Sequence, residues 1–329
     1  MLSAVFATLL LQPAPKPTLL VLNKLDNTVW ITDLETAKVR AKLATGPNPN
    51  EVAISPDGTL AAISDMGSGQ EPGKTLTLVD LGGNKVLRKI SIEPHTLPHG
   101  IHWLSKDRLV FTSHATDSLV EVDVPAGKIH RAINTEQKGT HLVVFSPDQS
   151  RAYTVNAGSG TVTALNFKTG KVIKQIPTGD RAEGISISAD GKWVACGNLG
   201  ANTVSIINTE DYSVVQTLKG IAGPIRTLFT QDGKHLAVSS VGSGALEIFG
   251  TKDWKKVASV ELKQKPIADP QYQGQWPIPM NLTRLKNGNL LVVLVTSHAV
   301  AEVDTKTWKV TRTFETGPLP DGVAVLDPS

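Results

Sequence analysis

Cysteine is nearly absent: Cys196 is the only one among 329 residues. No internal disulfide can form, so cysteine usage leaves the redox compartment undecided. Cys196 sits in the apolar run "WVACGN", the setting of a buried inert thiol, because a reactive one needs a polarised and partly open environment. Runs of like charge are missing too. The 33 basic side chains nearly balance 30 acidic ones, for a formal charge of +3 and a pI near 8.8, a weak electrostatic footprint that makes nucleic acid an unlikely partner. Gly-x-Ser-x-Gly, Cys-x-x-Cys and His-Glu-x-x-His are all absent, which disfavours hydrolase elbows, zinc ribbons and zincin proteases. "GSG" at Gly67 and Gly158 is not followed by a helical pattern, so neither is a dinucleotide loop.

The opening "MLSAVFATLLLQPAPKP" holds an apolar core of secretory length without a preceding Lys or Arg, and it is too short to span a bilayer. Residues 1–17 are expected to be a signal peptide, with a disordered lead-in as the alternative; Pro13 to Pro17 forms a linker. A periplasmic or secreted protein follows from the first reading. No later stretch is long and apolar enough for a membrane span.

What is present is repetition. "LPHGIHWLSKDRLVFTSH", Leu97 to His114, has the pattern of a β-hairpin, and the residue before its turn recurs as Ser55, Leu104, Ser146, Ser188, Thr230, Leu285 and Leu326. The spacings are 49, 42, 42, 42, 55 and 41 residues, matching the roughly 40–45 of a four-stranded propeller blade. Within one unit, Gly184 to Gly220, four runs rich in Val, Ile and Thr alternate apolar and polar residues and are separated by Asp-Gly, Gly-Ala-Asn and Thr-Glu-Asp turns. Apolar residues return at every second position, which excludes helix. The C-terminus supplies one strand, from Asp321, and the N-terminus three, at Leu19, Thr28 and Lys38. Joined, they complete a seventh blade and remove the open edges. The expected fold is an all-β, seven-bladed propeller over residues 18–329, a single domain and a monomer.

Residues 141–179, "HLVVFSPDQSRAYTVNAGSGTVTALNFKTGKVIKQIPTG", closely resemble the YVTN-type seven-bladed propeller repeat. Tyr153, Thr154, Val155 and Asn156 stand where that family has its tetrapeptide, with Val and Thr exchanged. The resemblance implies a propeller of a family that includes extracytoplasmic proteins, surface-layer-like proteins, a nucleic-acid-binding member and relatives of lactonases; it does not name a reaction. No blade has the Trp-Asp of WD repeats, and "TGK" at Thr169 lacks the tryptophan pattern of quinoprotein propellers.

In a propeller, strand A lines the bore, and the loops entering A and joining B to C share one face. The position five before each turn marker therefore rings the mouth: Asn50, His99, His141, Glu183, Ile225, Met280 and Asp321. The ends of the B strands form an outer ring with Asn23, Asp65, His114, Asn156, Asn198 and Ser240, and His298 lies close by. His99, His141 and Glu183 come from consecutive blades and match the ligand set of a divalent metal with open positions; plain ion pairing is the alternative. His114, Asp65 and Asp321 are candidates for proton transfer. Arg226, Asn50, Asn156, Asn198 and His298 are candidate substrate contacts. Two insertions, Met66 to Lys74 and Lys263 to Pro279, fall on the same face as long loops; the second carries Tyr272 and Trp276, whose ring faces suit a sugar or flat ligand. The expected function is metal-assisted chemistry, hydrolysis or β-elimination, on a lactone or sugar acid. The alternative is a non-catalytic exported module holding a glycan, peptide or partner protein, or, less plausibly, single-stranded nucleic acid.

Overall fold

The computed structural model describes residues 16–262 and 277–328. They form seven four-stranded antiparallel sheets arranged as blades. Blade 1 is Pro49–Ile54, Leu60–Gly67, Pro72–Asp80 and Lys85–Ser91, taken as strands A to D from the bore outward. Blades 2 to 6 repeat this order, beginning at Pro98, Thr140, Ala182, Pro224 and Pro279. The last blade is assembled from both ends of the described chain. Its strand A is Pro320–Leu326, and its outer strands are Thr18–Asn23, Thr28–Asp33 and Val39–Ala44. Thr18 pairs with Leu326 and Val21 with Val323, so the ring closes by backbone hydrogen bonds as expected from the repeat.

The core is not central. Seven apolar clusters lie one between each pair of neighbouring blades, such as Leu76 and Leu78 of blade 1 against Trp103 and Phe111 of blade 2. Strands B and C are buried on both faces, as in Leu290–Leu294. The outer D strands expose their charged positions, as in Lys171–Pro177. Each blade is thus one layer of a circular stack and rests on both neighbours.

The turn marker has a defined job. At the A–B turns Ser55, Ser146, Ser188 and Thr230 donate their hydroxyls to Asp57, Asp148, Asp190 and Asp232, two residues on, at 2.6–2.7 Å. Hydroxyl and backbone donors from Ser146 and Ser150 hold the Asp148 carboxyl at about 2. The C–D turns of blades 4, 5 and 6 place Tyr212, Trp254 and Trp308 at φ of 62°, 57° and 54°, where a side chain is strained. Trp254 stands edge-on to Trp193 of the preceding blade, with ring centroids 5.8 Å apart, and that contact holds the strained turn in place.

The insertion at Met66 to Lys74 corrects the expectation of a loop. Strands B and C of blade 1 continue past a register shift at Asp65/Gly67 until Gly67 pairs with Pro72, making a longer hairpin on the mouth face. Of the other insertion, residues 263–276 lie outside the described ones, and Tyr272 and Trp276 with them. No helix among the described residues is long and apolar enough to cross a membrane.

Candidate functional site

The start of strand A carries a register shift in all seven blades, for example between Thr140 and Leu142 and between Pro224 and Arg226. A bulge re-aims side chains, so two successive positions of each strand contribute to the mouth. The upper position supplies the histidine ring; the next supplies Glu51, Arg226 and Asn281.

In the upper layer His99, His141 and Glu183 do converge. His141 Nε2 stands 2.8 Å from Glu183 Oε2, a hydrogen bond in which the imidazole donates. The His99 and His141 rings stack with centroids 3.7 Å apart and a 41° tilt. His114 meets His141 edge-on at 5.9 Å. Arg181 reaches the other Glu183 oxygen at 3.4 Å. Burial raises the Glu183 pKa, but the His141 hydrogen bond and the nearby charges of His141, Arg226 and Arg181 outweigh it, holding the carboxyl down to about 2. Burial, and then the electrostatic influence of His141, Arg226 and Lys24, holds His99 well below the usual imidazole value, so His99 is neutral at pH 7. Burial likewise lowers His114.

Of the second layer, sequence reasoning named Arg226, as a substrate contact, and missed its partners Glu51 and Asn281. Arg226 donates to Glu51 at 2.9 Å, joining blade 5 to blade 1 across the bore. Asn281 of blade 6 donates to both Glu51 oxygens at 3.2 and 3.1 Å. Burial works against the Arg226 charge, yet Glu51, Asp321 and Glu183 together keep its pKa raised. Lys24 pairs with Asp321. The mouth thus holds three buried or half-buried carboxylates, each matched by its own cation.

The remaining candidates divide. Asn50 is buried and donates toward the Met66 sulfur at 2.8 Å. His298 sits in the B–C turn of blade 6 at φ 46° with Nε2 buried. Asn156, Asn198 and Asp65 face their own blades instead. Asn156 donates to Thr161 and Thr163 at 3.1 and 2.9 Å, and Asn198 to Thr203 and Ser205 at 3.0 Å each. Asp65 accepts from Thr75, Thr77 and the Gly46 amide at 2.6, 2.8 and 2.9 Å. These three pin strand B to strand C. A Ser or Thr pair five and seven residues after the Asn in blades 3 and 4 is the sequence signal of that role.

The three proposed metal ligands therefore meet as an ion pair with a stacked ring. Two donors each about 2.1 Å from a tetrahedral ion stand about 3.4 Å apart, wider than the 2.8 Å between His141 and Glu183. Among the described residues no three His, Cys, Asp or Glu side chains are grouped to hold a metal ion. Several buried polar atoms at the mouth lack a protein partner: Nδ1 of His99, His114 and His141, Nε of Arg226, and Oδ1 of Asn50 and Asp321.

The family model of the cytochrome D1 heme domain matches residues 103–223. The uncharacterized protein YncE of Salmonella typhimurium is 25% identical over 172 residues, 51% of this chain and 46% of that protein; YncE of Salmonella typhi is 24% identical over the same length. The chain spans about half the length of the curated relatives it matches. Among solved structures, hydrazine synthase of Kuenenia stuttgartiensis aligns at a TM-score of 0.71 and 18% identity, over 87% of this chain and 97% of that one. A functionally unknown protein from Desulfotomaculum acetoxidans aligns at 0.76 and 14% identity, over 95% and 99%. These likenesses support a propeller fold and place the chain beside propeller proteins. Arg226 and Glu51 bridge the described bore, and a cavity of about 250 Å³ lies against them.

Proposed function

We propose that the mouth of the bore receives a small oxygen-rich ligand of the lactone or sugar-acid class, and that the Glu183–His141 pair performs acid–base chemistry on it. The observation that carries this reading is a carboxylate-oriented imidazole beside buried hydrogen-bonding atoms that have no protein partner. Buried polar groups are nearly always paired, so such a cluster asks for water or ligand. The three carboxylates are already neutralised by Arg226, Lys24 and Arg181. What is left unpaired is hydrogen-bonding capacity and not charge, which suits hydroxyl and carbonyl groups, a lactone above all.

Glu183, ionised at neutral pH, accepts a hydrogen bond from the Nε2–H of His141, the tautomer that leaves the lone pair on Nδ1 as the base. A ligand that opens the mouth would meet that base. It would take a proton from an attacking water in lactone hydrolysis, or from carbon beside a carboxylate in β-elimination, and return it to the leaving oxygen. The Arg226 Nε–H, unpaired while the terminal nitrogens hold Glu51 and the Ile225 carbonyl, would polarise the carbonyl. Removing the base, as in His141→Ala, is expected to lower lactone turnover by about 10²–10⁴-fold while ligand affinity changes only a few-fold. Unchanged turnover in that variant overturns the acid–base role.

A second reading, a binding module without chemistry, is favoured by one fact: Nδ1 of both stacked histidines is closed off from solvent. It expects ligand-induced stabilisation with no turnover of any lactone. A metal is a third outcome of the same thermal-shift measurement, visible as chelator sensitivity. The tetrapeptide at Tyr153 to Asn156 supports affiliation with YVTN-type propellers, and the apolar opening residues support export.

A further inference from the structure

On the face opposite the mouth, the turns of blades 5 and 6 concentrate positive charge. Residues 230–235, 250–256, 284–289 and 304–309, the A–B and C–D turns of these blades with the strand ends beside them, hold eight Lys and Arg against three Asp, an excess of five where the full chain has three. Both C–D turns read Thr-Lys-x-Trp-Lys, at Thr251–Lys255 and Thr305–Lys309. Between the blades lies an open cleft of about 410 Å³, with Gln231 and His235 of blade 5 facing Lys286, Asn287, Thr305 and Lys306 of blade 6. Packing fixes its walls. Trp308, at φ 54°, stands edge-on to His235 with ring centroids 5.2 Å apart. Thr305 donates to the Gly288 carbonyl at 3.3 Å, which ties the C–D turn to the A–B turn and seats Lys306 on the cleft.

The acids here are committed, and the cations are not. Asp232, which also lines the cleft, accepts from the Thr230 hydroxyl and the Lys234 amide and has the Lys234 ammonium at 3.8 Å. Asp304 accepts from the Lys306 amide and from the Thr307 amide and hydroxyl at 2.7–3.1 Å, and Asp327 takes the Lys286 amide at 3.2 Å. The Lys286 ammonium donates to the Pro328 carbonyl at 3.2 Å. Among the described residues neither Lys286 nor Lys306 has a carboxylate partner for its ammonium, and the Asn287 carbonyl oxygen takes the Asn289 amide while its NH2 group stays free.

We infer that this cleft is a second ligand site, separate from the mouth, for the phosphate monoester of a small polyhydroxy compound. A monoester carries about two negative charges at neutral pH, which the Lys286 and Lys306 ammonium groups match. Ammonium groups act as point charges without the planar fork that suits a carboxylate, so charge decides and the dianion is favoured over a monocarboxylate. The amides of Gln231 and Asn287 and the Thr305 hydroxyl are left for the ligand's hydroxyl groups. Among the described residues lining the cleft there is no Leu, Ile, Val, Met or Phe, which favours a hydroxylated ligand over a hydrocarbon one. The surrounding cations draw the dianion toward the cleft.

Isothermal titration of the full chain with glucose 6-phosphate tests the site, with glucose, glucuronate and inorganic phosphate as comparisons. One glucose 6-phosphate is expected to bind with a dissociation constant of roughly 10–300 μM. Glucuronate and inorganic phosphate should each bind at least about tenfold more weakly, and glucose should not bind at this site. Lys286→Met and Lys306→Met should each weaken glucose 6-phosphate at least about tenfold. Lys252→Met removes the same charge from the same motif in blade 5, outside the cleft, and should change the affinity less than about twofold. His141→Ala, the variant that tests the mouth, should leave this binding unchanged, so the two readings stand or fall separately. Absence of saturable binding up to about 5 mM overturns the inference. So does glucuronate or inorganic phosphate binding as tightly as the ester, a Lys252→Met loss as large as that of Lys306→Met, or binding that is lost in His141→Ala and kept in Lys306→Met.

Discussion

Replacing Glu183 by Gln removes one charge and little else, and its consequences can be worked through. The side chain keeps its size and can still accept from His141, but that hydrogen bond loses its ionic acceptor and the attraction to Arg226 and Arg181 disappears. The carboxyl titrates near 2 in the folded protein against an ordinary 4.5. Its folded value lies below its unfolded one, so the ionised form stabilises the fold: the contribution is full above about pH 4.5 and is lost as pH falls toward 2. A difference of 2.5 pKa steps at about 1.4 kcal/mol each amounts to roughly 3 kcal/mol, reasonable for a carboxylate whose side chain is only 13% exposed. With an unfolding entropy of about 2.1 cal/mol/K per residue, a chain of this length has about 0.7 kcal/mol/K in total, and the melting temperature should drop by about 4 °C. Scanning calorimetry of the native and Glu183→Gln proteins from pH 7 to 2.5 should show the gap at neutral pH and its closure in acid. A gap below about 1 °C at pH 7, or one that persists unchanged in acid, refutes the electrostatic account of the mouth.

Arg226→Met strands Glu51 in a buried position and should cost about 3–5 kcal/mol, whereas the double variant with Glu51→Gln should recover much of it; denaturant melts of all three decide, and a double variant no more stable than Arg226→Met contradicts the pairing. Burial and cationic neighbours depress the His99 pKa from 6.5, so folding stability from this residue is full above about pH 6.5 and falls as acid charges the unfolded chain first; its nitrogen shifts by NMR should remain those of neutral imidazole at pH 6, and a midpoint near 6.5 would contradict it. At Trp254, glycine removes backbone strain while alanine keeps it, though both lose the edge contact with Trp193. Trp254→Gly should therefore be more stable than Trp254→Ala by about 1 kcal/mol, and the reverse order of melting temperatures would show that the turn is unstrained.

The blade count and the closure of the ring were legible because they rest on local chemistry repeated at a fixed period: a hydroxyl donating to an Asp two residues on, then a strand of alternating side chains. The rim of histidines was legible for the same reason, since period and strand direction give the end of each A strand. The Glu51–Arg226 bridge was not. A strict two-residue alternation hides the bulges at the heads of the A strands, and only the bulge lets Glu51 and Arg226 reach inward one step below His141 and Glu183. Lys24 was missed because the turn after Thr18–Asn23 comes beside Asp321 only when the two ends of the described chain pair. Asp65, Asn156 and Asn198 were read toward the ligand because their position on the face was clear. Their hydroxyl partners on strand C decide otherwise, and those partners follow from cross-strand register.

The seam in the last blade also sets an order of events during synthesis. Thr18–Asn23 leaves the ribosome with one edge unsatisfied and receives its partner, Pro320–Leu326, about 300 residues later. At about 5–20 residues per second that is a wait of roughly 15–60 s, during which the growing arc ends in two open strands. A chain permuted to start at the Asp57–Gly58 turn would move that vulnerable interval to another blade, and its yield relative to the native order would measure how much the waiting edge matters.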